Sequence, residues 1–189
     1  MLTKYIKAKK HFDNSELRKA ERAFSSIKVN LKDIDVQMLG AELYYSLGKY
    51  TKSFDFATSA LKVTVNEKDE ERASYLKGMS VVRLHDYEVA IDIFKYSVLK
   101  NNTFSNARNI SELVQLYSHL SLSAEVEKLA PKLLNWNDYF YIASKCLIKA
   151  ASDSGNRELL KRRVLNLIPY FSGLNSEYFL DVTNYLVNL

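Results

Sequence analysis

Glycine and proline are scarce in this chain: its 189 residues hold five Gly and two Pro. Sheets and irregular loops draw on both for their turns, so the shortage favours helices joined by short connections. Cysteine is almost missing. Cys146 alone excludes an internal disulfide framework and a cysteine-based zinc site, and its neighbours Ile142, Ala143 and Leu147 point to a buried, inert thiol. Long apolar runs are also lacking. The start, MLTKYIKAKKHF, has no apolar stretch of signal-peptide length, and no run approaches a membrane span. The expected location is the cytoplasm, unless the chain is an excised fragment that has lost a signal. Neither sign of charge dominates, since 27 Lys and Arg against 22 Asp and Glu leave +5. The excess sits between Met1 and Lys32, where nine basic residues face three acidic ones. Such a segment suits an acidic protein, a nucleic acid or a membrane surface; it also reads as an ordinary solvated face.

Aromatics, by contrast, are plentiful, with thirteen Tyr and nine Phe. They bury much area per residue, which suits thin two-helix layers. Their placement repeats. In SLGKYTKSFDFATSAL, a turn is followed by Tyr50, Ser53, Phe54, Ala57, Ala60 and Leu61; in RLHDYEVAIDIFKYSVL, by Tyr87, Ala90, Ile91, Phe94, Ser97 and Val98. Extended backwards, Ala41, Tyr44 and Gly48 align with Gly78, Val81 and His85 at a shift of 37 residues, a spacing typical of solenoids and arrays. Each unit reads as two helices, with a small residue on the first (Ala41, Gly78) where a neighbour approaches closely, and one apolar face on the second.

The same register continues on both sides. Upstream, Ala8, Phe12, Leu17, Ala20, Phe24 and Ile27 form a unit, with Asn14 or Ser15 the expected cap of its second helix. Downstream, Ile110, Leu113, Val114 and Tyr117 make a first helix, and Val126, Ala130, Leu133 and Leu134 a second. A fifth pair runs from Trp136 to about Ser152 and from Arg157 to about Ile168, broken by SDSGN. GLNSEYFLDVTNYLVNL reads as a last helix capped near Asn175 or Ser176. The expected fold is an all-α solenoid of helix pairs, with units at about 1–34, 35–70, 71–106 and 107–134, then 135–189 as a further pair and a terminal helix in the same continuous stack.

YLKGMSVVRLHDYEVAIDIFKYSV resembles a tetratricopeptide repeat (TPR), and LGAELYYSLGKYTKSFDFATSAL resembles a second. They share the small residue in the first helix, the aromatic before the turn, the Gly-x-Tyr-type turn, and the Ala/Ser then Phe/Ala spacing. Neither has the usual closing proline, and His85 replaces the turn glycine. The likeness extends to residues 1–34 and 107–134. It implies a right-handed superhelix whose concave groove, lined by the first helices, holds a peptide or partner helix. In this register the groove residues are Tyr5, Lys9 and Phe12; Met38, Glu42 and Tyr45; Tyr75, Met79 and Arg83; then Ser111, Gln115 and His119. The bland alternative is that Tyr and Met at helical spacing are inter-helix core. Repeats that hold chaperone tails use a Lys, Asn and Arg set, and at those places stand Tyr5, Lys9, Leu39, Arg72 and Leu76. Only Arg72 fits, so this use is disfavoured.

Catalytic signatures are sparse. His11, His85 and His119 lie in three units, with no His-x-x-x-His pair, acidic cluster or Gly-rich phosphate loop. No enzyme activity, metal or cofactor is expected. Arg157, Lys161, Arg162 and Arg163 add a second basic cluster. It shares a helix with Leu159, Leu160, Val164 and Leu167, and the middle of the chain lacks the continuous basic stripe that RNA binding needs. Tyr178, Val182, Tyr185 and Leu189 lie along one face of the terminal helix; they fold back on the preceding pair, form a homodimer contact, or mark where a larger protein was cut. The expected function is a non-enzymatic adaptor that binds a protein partner. Three alternatives stand behind it: an accessory repeat domain of a larger protein such as a transferase, a chaperone for secreted proteins, and, last, an RNA binder.

Overall fold

The computed structural model of the chain describes residues 2–27, 33–100 and 106–171. Ten α-helices are present among them: α1 (Leu2–Asp13), α2 (Leu17–Ser25), α3 (Ile34–Ser46), α4 (Tyr50–Leu61), α5 (Glu67–Arg83), α6 (Tyr87–Lys100), α7 (Ala107–His119), α8 (Ser123–Leu129), α9 (Asn137–Asp153) and α10 (Arg157–Phe171). No strand occurs among the described residues. The expected terminal helix lies outside them, and with it the dimer contact assigned to it. The chain divides into two compact units, Met1–Asn109 and Ile110–Leu189. The division falls inside α7.

A shared loop pairs the helices. Every odd-numbered helix is followed by three residues, the middle one left-handed: Ser15 (φ 59°), Gly48 (71°), His85 (63°), Ser121 (55°) and Gly155 (68°). The reversal closes the helix with a Schellman-type bond from the third loop residue. Lys49 N–H donates to Tyr44 C=O at 2.8 Å, Glu16 to His11 at 2.9 Å, Asp86 to Val81 at 3.2 Å and Leu122 to Tyr117 at 2.8 Å. This corrects the expected start of α2. Neither Asn14 nor Ser15 caps it; Glu16 takes that place without a side-chain cap bond, its carboxylate being engaged by Lys19 and His11. Side-chain caps appear at other helix starts, both inside pairs, where Asp86 accepts from Val89 N–H at 3.3 Å and Asn156 from Leu159 N–H at 3.0 Å, and between pairs. Asp33 accepts from Val36 N–H at 3.3 Å and opens α3, and Asn66 accepts from Asp69 N–H at 2.8 Å and opens α5 at Glu67, ahead of residue 71.

In the first unit, Ala8, Ala20, Phe24 and Ile27 pack with Val36, Leu39, Leu43 and Tyr44. Phe24 meets Tyr44 and Phe56 edge-on, and Tyr44 stacks on Phe56 with centroids 5.4 Å apart. A second cluster joins Met38, Ala41, Ala57, Ala60, Ala73 and Leu76. Close approach is set at Gly78, as the sequence implies, and at Gly40 rather than its neighbour Ala41. A Cβ on Gly40 would stand 2.5 Å from the Phe56 ring, and one on Gly78 would stand 2.4 Å from Phe94. At the repeat shift, Ala41 facing Ala57 becomes Gly78 facing Phe94, so a larger ring is matched by a smaller partner. Between the layers, Ser53 Oγ–H donates to Ala41 C=O at 2.8 Å, and Ser80 Oγ lies 2.9 Å from Ser53 Oγ and 2.7 Å from Leu76 C=O.

In the second unit, α8 stops after Leu129 and a 3-10 turn, Ala130–Leu133, completes the face that Val126, Ala130 and Leu133 bury. Pro131 stands inside that turn, where a missing N–H and a fixed φ end the α-helix. Ile148, Ala151, Leu160 and Val164 join α9 to α10. Cys146 is buried, as its neighbours imply, and burial holds its thiol above the usual range.

Candidate functional site

The first helices of the first unit bring five of the sequence-predicted residues into one half-exposed surface. Arg83 Nε–H donates to the Tyr45 hydroxyl at 3.2 Å, and the Tyr45 ring meets Tyr50 edge-on at 5.6 Å. The Tyr45 hydrogen bond, then the charges of Tyr45, Tyr50 and Tyr75, raise the already high Arg83 pKa. Arg108, which the sequence did not single out, places its guanidinium 4.8 Å from the Tyr75 ring centroid, a cation–π geometry. Arg72 pairs with Glu42. Tyr5 stands toward the other end, where burial comes first, then the carboxylates of Asp35, Asp33, Asp13 and Glu42, in holding its phenol above the usual range. The surface is therefore acidic around Tyr5 and cationic around Tyr45 and Tyr75.

The remaining predicted residues divide. Lys9 is exposed and pairs with Asp13 at 3.1 Å. Phe12 is half-buried against the α2–α3 cluster, and Met79 is half-buried on α5. Met38 is corrected: at 5 % exposure it belongs to the core with Ala41, Ala57 and Ala73. An unbranched side chain fills the gap that those alanines leave, so it is not available to a partner. Ser111 is likewise buried, at 2 % exposure. Gln115 and His119 belong to the second unit. There, with Tyr141, Ile142, Lys145 and Cys146, they line a cleft of about 410 Å³, whose edge is fixed by Lys149 donating to the Ser118 carbonyl.

The histidines have separate surroundings. His11 Nδ1 lies 2.5 Å from Glu16, His85 Nδ1 lies 3.2 Å from the Tyr87 hydroxyl, and His119 ends α7. In the second basic cluster, Arg163 pairs with Glu127 across the unit, and Lys161 and Arg162 lie on the exposed side of a helix that buries Leu160 and Val164. Among the described residues no group of three or more His, Cys, Asp or Glu is placed to hold a metal ion, and no helix is long and apolar enough to cross a membrane.

No family model matches the chain, and no curated protein matches it. Solved structures do. YrrB, described as a TPR protein with an unusual peptide-binding site, superposes with a TM-score of 0.72 at 13% identity, over 94% of this chain and 88% of its own. The nearly identical TPR-like repeats of a putative kinesin light chain from Podospora anserina superpose with a TM-score of 0.68 at 10% identity, over 90% of this chain and 94% of theirs. At such identities the likeness concerns the fold, which is of the tetratricopeptide-repeat type.

Proposed function

We propose that the chain is a non-enzymatic protein-interaction module, and that a partner segment lies along the surface built by α1, α3 and α5. The observation that carries this reading is the set of half-exposed rings already held in place by guanidinium groups: Tyr45 by Arg83 and Tyr75 by Arg108. Held in this way, the rings lose little side-chain freedom when a partner covers them. Tyrosine and arginine are also the residue types that concentrate binding energy at interfaces. The change from acidic near Tyr5 to cationic near Tyr75 suits a segment with unlike charges toward its two ends, and fixes its direction. The fold likeness to YrrB, described as having a peptide-binding site, supports the same reading.

The test compares interactors captured by the wild-type chain and by a Tyr75→Ala/Arg83→Ala variant whose circular dichroism and melting match the wild type. A specific protein retained by the first and lost by the second is expected. Identical capture by both sinks the reading, and so does capture by neither.

A further inference from the structure

The first helix pair has another surface. Lys4, Lys7 and His11 share one face of α1, Lys19, Arg22 and Ala23 share one face of α2 with Ser26 just past its end, and an open cleft of about 470 Å³ lies between them. The adjoining face of the pair, carrying Tyr5, Ala8, Phe12, Ala20 and Phe24, joins the α3 cluster, and the half-buried Ala23 borders both. The ends of the cleft are tied: Lys4 Nζ donates to Ser26 C=O at 3.0 Å, and Glu16 accepts from Lys19 at 2.7 Å beside His11. Lys7 and Arg22, between those ends, have no carboxylate partner among the described residues.

The repeat itself says what kind of surface this is. Ser15 and Gly48 hold the same place in their loops, 33 residues apart. That offset carries Lys7 onto Gly40, His11 onto Tyr44, Arg22 onto Asp55 and Ala23 onto Phe56. In the second pair, Tyr44 and Phe56 form the socket that receives Phe24 of α2, with ring centroids 5.9 and 5.5 Å away. The α1–α2 cleft is thus the counterpart of a surface that seats a helix one unit further on. Its aromatic wall is gone, since Ala23 stands where Phe56 would fill the space, and cations rim the gap.

Shape then calls for a helix and charge for an acidic one. We propose that the α1–α2 cleft docks an acidic helical segment of a partner protein, with a large apolar side chain over Ala23 and carboxylates facing Lys7 and Arg22. Single-stranded nucleic acid fits less well. No Phe, Tyr or Trp lines the cleft for bases to stack on, and the His11 ring there is tied to Glu16, whereas stacking is a main part of such binding.

The test titrates the full chain, by fluorescence anisotropy, with three probes: a synthetic helical peptide bearing one leucine amid glutamates on a single face, a scrambled peptide of the same composition, and a single-stranded oligonucleotide. The one-faced peptide is expected to bind at least about tenfold more tightly than the scrambled one. Lys7→Glu/Arg22→Glu is expected to weaken it by at least about tenfold, as charge reversal at a complementary contact does. Both residues are exposed, and unchanged melting confirms the fold; Lys7→Gln/Arg22→Gln replaces the reversed variant if melting changes. Equal binding of the two peptides, indifference to the substitutions, oligonucleotide binding as tight as the peptide's, or no binding at all would overturn the proposal.

Discussion

Replacing Gly78 by alanine sets two effects of known size against each other. Alanine is the better helix former by about 1 kcal/mol, so an exposed site in α5 would gain. Here the added Cβ would stand 2.4 Å from Phe94 Cζ and 2.6 and 2.8 Å from Cε1 and Cε2, whereas carbon atoms settle at about 3.5–4.0 Å. Phe94 is 0 % exposed, so its ring cannot swing into solvent. Either α5 and α6 part by about 1 Å or the ring leaves its rotamer, and overpacking of this sort costs about 1–3 kcal/mol. With no yielding neighbour the steric cost lies in the upper part of that range. After the helix gain a net loss of about 1–2 kcal/mol is expected, lowering the melting temperature by several degrees at about 2–4 °C per kcal/mol. Urea unfolding followed by far-UV circular dichroism is the assay, because Trp136, the one tryptophan, belongs to the second unit. In a Phe94→Leu background the same alanine should become neutral or stabilising, a coupling above about 0.5 kcal/mol. An unchanged or higher midpoint for Gly78→Ala alone would refute the reasoning.

Glycine at Ser15, His85 or Ser121 should stabilise the chain by about 0.5–1 kcal/mol each, since a left-handed residue with a Cβ costs about 1–2 kcal/mol and glycine's greater freedom when unfolded returns part of it. A triple variant that melts no higher would count against the shared loop. Ser53→Ala should cost about 1–2 kcal/mol, because Ser53 and Ser80 are both 0 % exposed and the change strips a hydrogen bond from the buried Ala41 carbonyl. Denaturant midpoints check it, and an unaltered midpoint contradicts it. Cys146 should react with a soluble disulfide reagent slowly in the folded chain and at once in denaturant. Because burial raises the native thiol pKa, the unfolded state ionises first as pH rises. Stability should therefore fall from the ordinary thiol pKa upward, and Cys146→Ala should remove that part of the fall.

Much of the architecture is legible in the residues because it rests on local periods. Ala8, Phe12, Ala20 and Phe24, or Ala90, Phe94 and Val98, announce helices and their buried faces without reference to the rest of the chain. The turns are legible where glycine marks them, at Gly48 and Gly155. At Ser15 and Ser121 the polar run shows the turn but not its left-handed geometry, which nothing in a serine advertises; the hydrogen bonds of the turn hold it there. For the candidate site, the repeat register names Glu42, Tyr45, Tyr75 and Arg83 and does not name Arg108. Arg108 reaches Tyr75 from 33 residues on, a pairing that no period within one helix contains.

The amino-acid sequence alone determined that this chain is helical, where its pairs fold back, and that Cys146 is buried. Each follows from side-chain size and polarity at spacings of a few residues. Only the tertiary structure decided that Met38 belongs to the core, that Gly40 rather than Ala41 admits the Phe56 ring, and that arginines from neighbouring helices hold the half-exposed tyrosines. Those outcomes depend on the axial offset between stacked helices. That offset is set by many small packing contacts summed across the layer, and a helix's own period does not specify it.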